Sequence, residues 1–234
     1  MLPNQQLLDP NGNQVALFPL VGFSISQGWY ENFSHDSSRY YATDFVALDS
    51  NGNRELRAPC YAPVDIQLLW KDPIECCALW QSVNQVHFAN DTLDYLGIIV
   101  YHDNDIANGT YSNVGDIKRQ GEVYNHTGTG GNVTGDHVHL ETGKGQVNLS
   151  QYRYHFLDTT SCKRIVPDEA LFVNDTIVTP YPRYTWKTYE GGVVPPTPPT
   201  PPTPGEDKNK WKKWYLLRNK KIKFKYWHKI IKII

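Results

Sequence analysis

A glycine-rich run, Gly128-Thr-Gly-Gly-Asn-Val-Thr-Gly135, leads into Asp136-His137-Val138-His139-Leu140-Glu141. Side chains on a strand alternate between faces. His137, His139 and Glu141 therefore point one way, and Val138 and Leu140 the other. Two imidazoles then stand about 7 Å apart along the backbone. One can bind a metal ion while its neighbour reaches a reactant beside it. Taken alone, such a pair describes two surface or core histidines equally well.

The elements that must carry these groups read as short strands. Turn signals such as Asp9-Pro-Asn-Gly-Asn, Asp49-Ser-Asn-Gly-Asn and Thr127-Gly-Thr-Gly-Gly separate short apolar stretches. Asp65-Ile-Gln-Leu-Leu-Trp70 and Leu96-Gly-Ile-Ile-Val-Tyr-His102 are strand candidates, the second a buried one. No long stretch of the first 190 residues has helical periodicity. With 13% aromatic residues, 17 Gly and 16 Pro, a mainly β, antiparallel fold is expected. Cys60, Cys76, Cys77 and Cys162 form no CxxC pair. They read as buried free thiols, with one disulfide open if the protein works outside a cell.

Gly128 to Glu141 resembles the signature of the lysostaphin-type zinc endopeptidases, in which a Gly/Thr-rich turn precedes His-x-His-x-Glu. The resemblance implies a zinc ligand at His139 and a catalytic role for His137. Upstream, Ser34-His35-Asp-Ser-Ser-Arg-Tyr-Tyr-Ala-Thr-Asp44-Phe45 resembles the segment with the family's other two ligands. Asp44 before Phe45 fits directly. The commonest family spacing would put Tyr40 where a histidine belongs. His35 fits the longer insertion found in many phage-borne members, with Asp36 the less attractive rival. Ala58-Pro-Cys-Tyr-Ala-Pro-Val-Asp65 resembles a further strand-turn of the family. Tyr111-Ser112-Asn113 is read where the family has Tyr-x-His, which places Asn113 as a hydrogen-bond donor to the developing oxyanion. His102 is read as structural. His87, His126, His155 and His228 have no motif support.

The implied site is thus zinc held by His35, Asp44 and His139, in a groove across an antiparallel sheet. Two imidazoles and one carboxylate leave a fourth tetrahedral position for water, as in catalytic rather than structural zinc sites. His137 would act as base or oxyanion stabiliser, and Glu141 would orient a histidine from behind. The implied reaction is hydrolysis of peptide bonds in bacterial peptidoglycan. HExxH, Gly-x-Ser-x-Gly, P-loop and Rossmann motifs are missing from the sequence.

Composition changes sharply toward the C-terminus. Residues 1–190 read as the endopeptidase domain and 191–205 as a Pro/Thr-rich linker of polyproline type. Residues 206–234 read as a basic aromatic tail. Eleven of the 23 basic residues and two of the 24 acidic ones follow Gly205, so the tail carries +9 and the preceding chain -10. Such a tail suits an anionic wall polymer or a membrane surface, as an amphipathic helix or as a disordered solubilising segment. With an acidic body it does not indicate nucleic acid. No secretory signal or apolar span of about 18 residues is present. The expected setting is therefore a phage or prophage lysin, or a tail-associated lysin. It would reside in the virion or the host cytoplasm until lysis. Two other readings stand beside this one. The first is a catalytically degenerate wall-binding module; the second is a membrane-active tail carried by a targeting domain.

Overall fold

A computed structural model describes residues 1–31, 34–151 and 153–191. Contacts divide the chain into units of Met1–Val194 and Pro195–Ile234. The basic tail and most of the proline-rich linker lie outside the described residues.

The strands are β1 (Gly22–Gln27), β2 (Thr43–Ala47), β3 (Pro59–Tyr61), β4 (Ile66–Asp72), β5 (Cys77–Ser82), β6 (Val86–His87), β7 (Leu93–Asp94), β8 (Leu96–Tyr101), β9 (Ile117–Lys118), β10 (Val123–His126), β11 (Val138–Gly145), β12 (Cys162–Ile165) and β13 (Ile177–Val178). Two short helices, α1 (Asn104–Asn108) and α2 (Pro167–Ala170), and a 3₁₀ turn at Ser37–Arg39 complete the described elements. The architecture is mainly β and largely antiparallel. Nine strands form one sheet in the order β13-β1-β2-β11-β8-β5-β4-β9, with β12 also paired to β11. The pairing of β1 with β13 is parallel. No helix among the described residues is long and apolar enough to cross a membrane.

Both faces of the central strands are covered. All six residues of β8 are buried. Leu96, Ile98 and Val100 join Phe18, Phe23, Phe45, Val138, Leu140 and Trp80 in the main core. Ile99 and Tyr101 join Cys77, Leu79, Phe156 and Cys162 on the opposite face. Continuous burial explains why β8 is an unbroken apolar run rather than an alternating one. All four cysteines are buried, and burial pushes Cys77 up to about 12.

The Asp-x-Asn-Gly-Asn segments form the turns their chemistry favours. Asp9 Oδ1 accepts from the backbone N–H groups of Asn11 and Asn13, and Asp49 Oδ1 does the same for Asn51 and Asn53. Two glycines matter more to the site. Gly97 on β8 faces Gly143 on β11. A Cβ on Gly97 would come within 2.7 Å of the Phe156 ring, and one on Gly143 within 2.8 Å. The paired glycines make a slot that Phe156 fills, which anchors the segment carrying His155 against the sheet.

Candidate metal centre

β1, β2, β8 and β11 bring the functional side chains together. His139 pairs with Asp44 across β11 and β2, and with Tyr101 across β11 and β8. His35 approaches from the loop between β1 and β2. Its Nδ1–H is held by the Gly28 carbonyl oxygen at 3.0 Å, which leaves Nε2 facing Asp44 Oδ1 at 3.3 Å. On His139 the roles reverse. Nε2 faces Glu141 Oε1 at 3.2 Å, and Nδ1 faces the same Asp44 Oδ1 at 2.9 Å. With those outer nitrogens protonated, the inner ones offer lone pairs to a common point.

That convergence is the decisive observation. His35, Asp44 and His139 are all buried, and their ligand atoms lie within 4.8 Å of one another. His35 Nε2 and Asp44 Oδ1 are buried, and neither makes a directed hydrogen bond. Orphaned buried acceptors carry a desolvation penalty that a cation would relieve. Zinc–ligand bonds of about 2.0–2.2 Å at tetrahedral angles place neighbouring ligand atoms about 3.3 Å apart, close to the separations seen. The donor set fits a divalent transition metal such as zinc.

Electrostatics agree. Burial opposes charge on Asp44, but His139 and His35 outweigh it and hold the carboxyl far below the usual carboxylate range. Burial also opposes charge on His139, yet Asp44 and Glu141 raise its imidazole to about 9. Those carboxylates generate the attraction that a bound cation would feel. Glu141 is buried, which disfavours its charge, yet contacts with His139 and His155 bring it down to about 2. Its Oε1 accepts from His155 Nδ1 at 2.6 Å, and its Oε2 from the Phe156 backbone N–H at 3.1 Å. Glu141 thus orients His139 from behind, as hydrogen-bonded carboxylates do at metal sites.

Two further histidines stand beside the triad. His137 pairs with Gly128 in an isolated bridge just before β11. Its Nδ1–H reaches the Gly135 oxygen at 2.8 Å, and Nε2 lies 3.6 Å from Asp44 Oδ2. The His102 ring is 4.6 Å from that of His137. His102 Nδ1–H is held by the Gly130 oxygen at 2.9 Å, which leaves its Nε2 available. Burial and then the neighbouring His137 lower the His102 imidazole to about 3, so it is neutral. His102 adopts φ +82°, sparsely populated for a non-glycine residue. A cleft of about 440 Å³ opens over the centre, lined by His137, His139, Asp44, His102, Arg39 and Glu75 among others.

The structure therefore gathers His35, Asp44, His137 and His139, and it leaves Asn113 out. Asn113 is exposed in a turn closed by its N–H on Asp116 Oδ2 at 2.8 Å, and it does not line the cleft. Tyr111, two residues earlier, points into the core, where its hydroxyl accepts from Trp80 Nε1 at 3.0 Å. His102, expected as structural, lines the cleft beside His137. The available signal was register: β8 ends at Tyr101, opposite His139, so the next residue emerges at the site. His155 had no such signal, because it reaches Glu141 from a loop.

No family model matches the sequence. The chain is 33% identical over 134 residues to "Morphogenesis protein 1" of Bacillus phage B103; the match covers 57% of this chain and 33% of that protein. The chain thus spans about a third of the relative's length. Similar solved structures include a zinc-containing peptidase from Vibrio cholerae, at 15% identity and TM-score 0.35, covering 58% of this chain and 39% of that one. The catalytic domain of a prophage-encoded protein, EnpA, from Enterococcus faecalis matches at 16% identity and TM-score 0.35, covering 53% and 82%. The antimicrobial peptidase lysostaphin from Staphylococcus simulans matches at 14% identity and TM-score 0.36, covering 58% and 51%. Overlaps this partial fix no residue's role, and the site stands on its own geometry.

Proposed function

We propose that this chain is a zinc-dependent endopeptidase that cuts peptide bonds in bacterial peptidoglycan. The observation that carries the reading is the meeting of His35 Nε2, Asp44 Oδ1 and His139 Nδ1, with no arginine or lysine paired to them, at the floor of a cleft. The family resemblance of residues 128–141 and the phage relative favour a wall substrate and a virion or lysis role.

His35, Asp44 and His139 would hold the metal. A zinc ion held there would supply acidification of a water molecule and polarisation of the scissile carbonyl. The chain's own groups supply the rest. His137, with Nδ1–H fixed on a carbonyl, offers Nε2 to take the proton of the attacking water. His102, neutral and also fixed through Nδ1–H, presents a second Nε2 lone pair beside His137 and so would accept a hydrogen bond from the water or from the leaving amine. Glu141 keeps the His139 ring from turning, and the buried floor limits water.

The test is mass spectrometry of fragments released from defined peptidoglycan, with and without a chelator. We expect one metal ion per chain, peptide-bond cleavage that stops on chelation, and loss of cleavage in His137→Ala. Cleavage that persists without metal would sink the mechanism. Stoichiometric metal without any cleavage would favour a wall-binding module instead. The tail is proposed to add affinity for an anionic wall or membrane surface. Truncation after Gly205 should leave cleavage of isolated peptidoglycan intact.

A further inference from the structure

An aromatic cluster lies on the loop that delivers His35. The Tyr30 and Tyr40 rings are 4.2 Å apart, Tyr40 and Tyr41 are 5.2 Å apart, and Trp29 stacks on Tyr41 at 6.3 Å. Trp29 is half-buried against the main core, whereas the side chain of Tyr30 is 61% exposed. Tyr30 adopts φ +55°, uncommon for an aromatic residue. Its N–H donates to the Tyr40 oxygen at 2.8 Å, which binds the two sides of the loop together. The strained backbone thus presents a ring to solvent on a cross-linked loop, an arrangement that packing alone does not require.

Two of the three arginines around this platform are paired with carboxylates. Arg183 lies over Trp29 at 5.9 Å and 3.8 Å from Glu31. Arg164 lies over Tyr41 at 5.0 Å and 3.2 Å from Asp158. Arg39, beside Tyr40, donates its Nε–H to His155. An anionic polymer or lipid surface would want unpaired cations. Rings with hydroxyls, with two of the three neighbouring arginines already paired to carboxylates, suit a neutral partner that has flat C–H faces and its own hydroxyls, namely sugar rings. The platform also adjoins the metal cleft, because Gln27, Ser34 and Arg39 of the same loop line it.

We infer that Tyr30, Tyr40, Tyr41 and Trp29 form a saccharide subsite that stacks the glycan strand while its attached peptide enters the cleft. The inference deepens the peptidase reading and rests on it for the identity of the glycan. The probe is the neutral tetrasaccharide of N-acetylglucosamine, titrated into the full chain with tryptophan fluorescence as readout. Binding should weaken about tenfold in Tyr40→Ala and in Tyr30→Gly, the scale of one lost ring contact. Glycine at position 30 accepts the positive φ, so that variant removes the ring without adding strain. Tyr40→Phe should retain binding. Cleavage of a soluble peptide fragment should not change in these variants, while cleavage of whole walls should slow. If the tetrasaccharide fails to bind, or binds all variants equally, the subsite is wrong. Cleavage of the soluble peptide is scored separately, so the peptidase reading can fail or survive independently.

Discussion

Among the described residues, two groups of acids and histidines have metal-like spacing, and one of them has no arginine or lysine paired to it. His35, Asp44 and His139 form the first; Asp103, Asp105 and His126 form the second. In the second, Arg57 Nη1 lies 2.8 Å from Asp103 and Arg57 Nη2 lies 3.0 Å from Asp105. Asp103 Oδ2 also accepts the His126 backbone N–H at 2.7 Å. Arg57 further donates to the Thr127 oxygen at 3.0 Å, tying the network to the glycine-rich turn. The first group has no arginine or lysine among its ion-pair partners, and its inner acceptors are orphaned. The same residue types thus serve two ends. Where the guanidinium enters, they brace a turn; where it is excluded, they are poised for a metal ion.

The largest expected effect breaks the first group. Asp44→Ala should abolish stoichiometric zinc binding and lower peptidoglycan cleavage by on the order of 10³-fold or more, read by metal analysis and fragment release. Asp103→Ala should keep one zinc per chain. A second equivalent of metal at the Asp103 group of the unaltered protein would erase the contrast between the two clusters.

Breaking the second group should cost stability instead. Asp103 is fully buried but Arg57 is partly exposed. Asp103→Ala should therefore destabilise by about 2–4 kcal/mol, somewhat under the penalty for a fully buried pair, as read by chemical denaturation. Zinc at about a hundredfold its Kd should stabilise the unaltered chain by about 2.7 kcal/mol, and should not stabilise Asp44→Ala.

His155→Ala removes support from Glu141 without touching the metal ligands. It should weaken zinc affinity about tenfold, the lower end for outer-shell partners, as read by competition with a chelator. The smallest effect is on pH dependence. Burial works against the Asp103 charge, but His126, the Asp105 N–H and Arg57 together depress its pKa. Its stabilising contribution is present above the unfolded carboxylate value near 4 and is lost as pH falls through the lower folded value. Asp103→Asn should flatten the acid limb of the stability curve below about pH 4. An unchanged limb would assign acid unfolding to other carboxylates.

Much of the fold was legible because local rules decided it. Asp65–Trp70 and Leu96–His102 were read as strands and appear as Ile66–Asp72 and Leu96–Tyr101. His139 and Glu141 share a face because strand alternation admits no other result. Asn113 lies away from the cleft for a physical reason. A motif names neighbours in sequence, but the site is closed by register between β8 and β11, and that register delivers His102. Arg57 and His155 were illegible because each acts across long chain separations, through contacts no periodicity encodes.

The slot formed by Gly97 and Gly143 makes Phe156 a peg in a socket. The peg fixes the loop between β11 and β12 at one point, close to Glu141. Residues of that loop away from the peg are then open to exchange, as a tool head is changed on a fixed shank, while His155 keeps its grip. A bulkier residue in the socket would unseat the peg and, through Glu141, loosen the hold on the His139 ring.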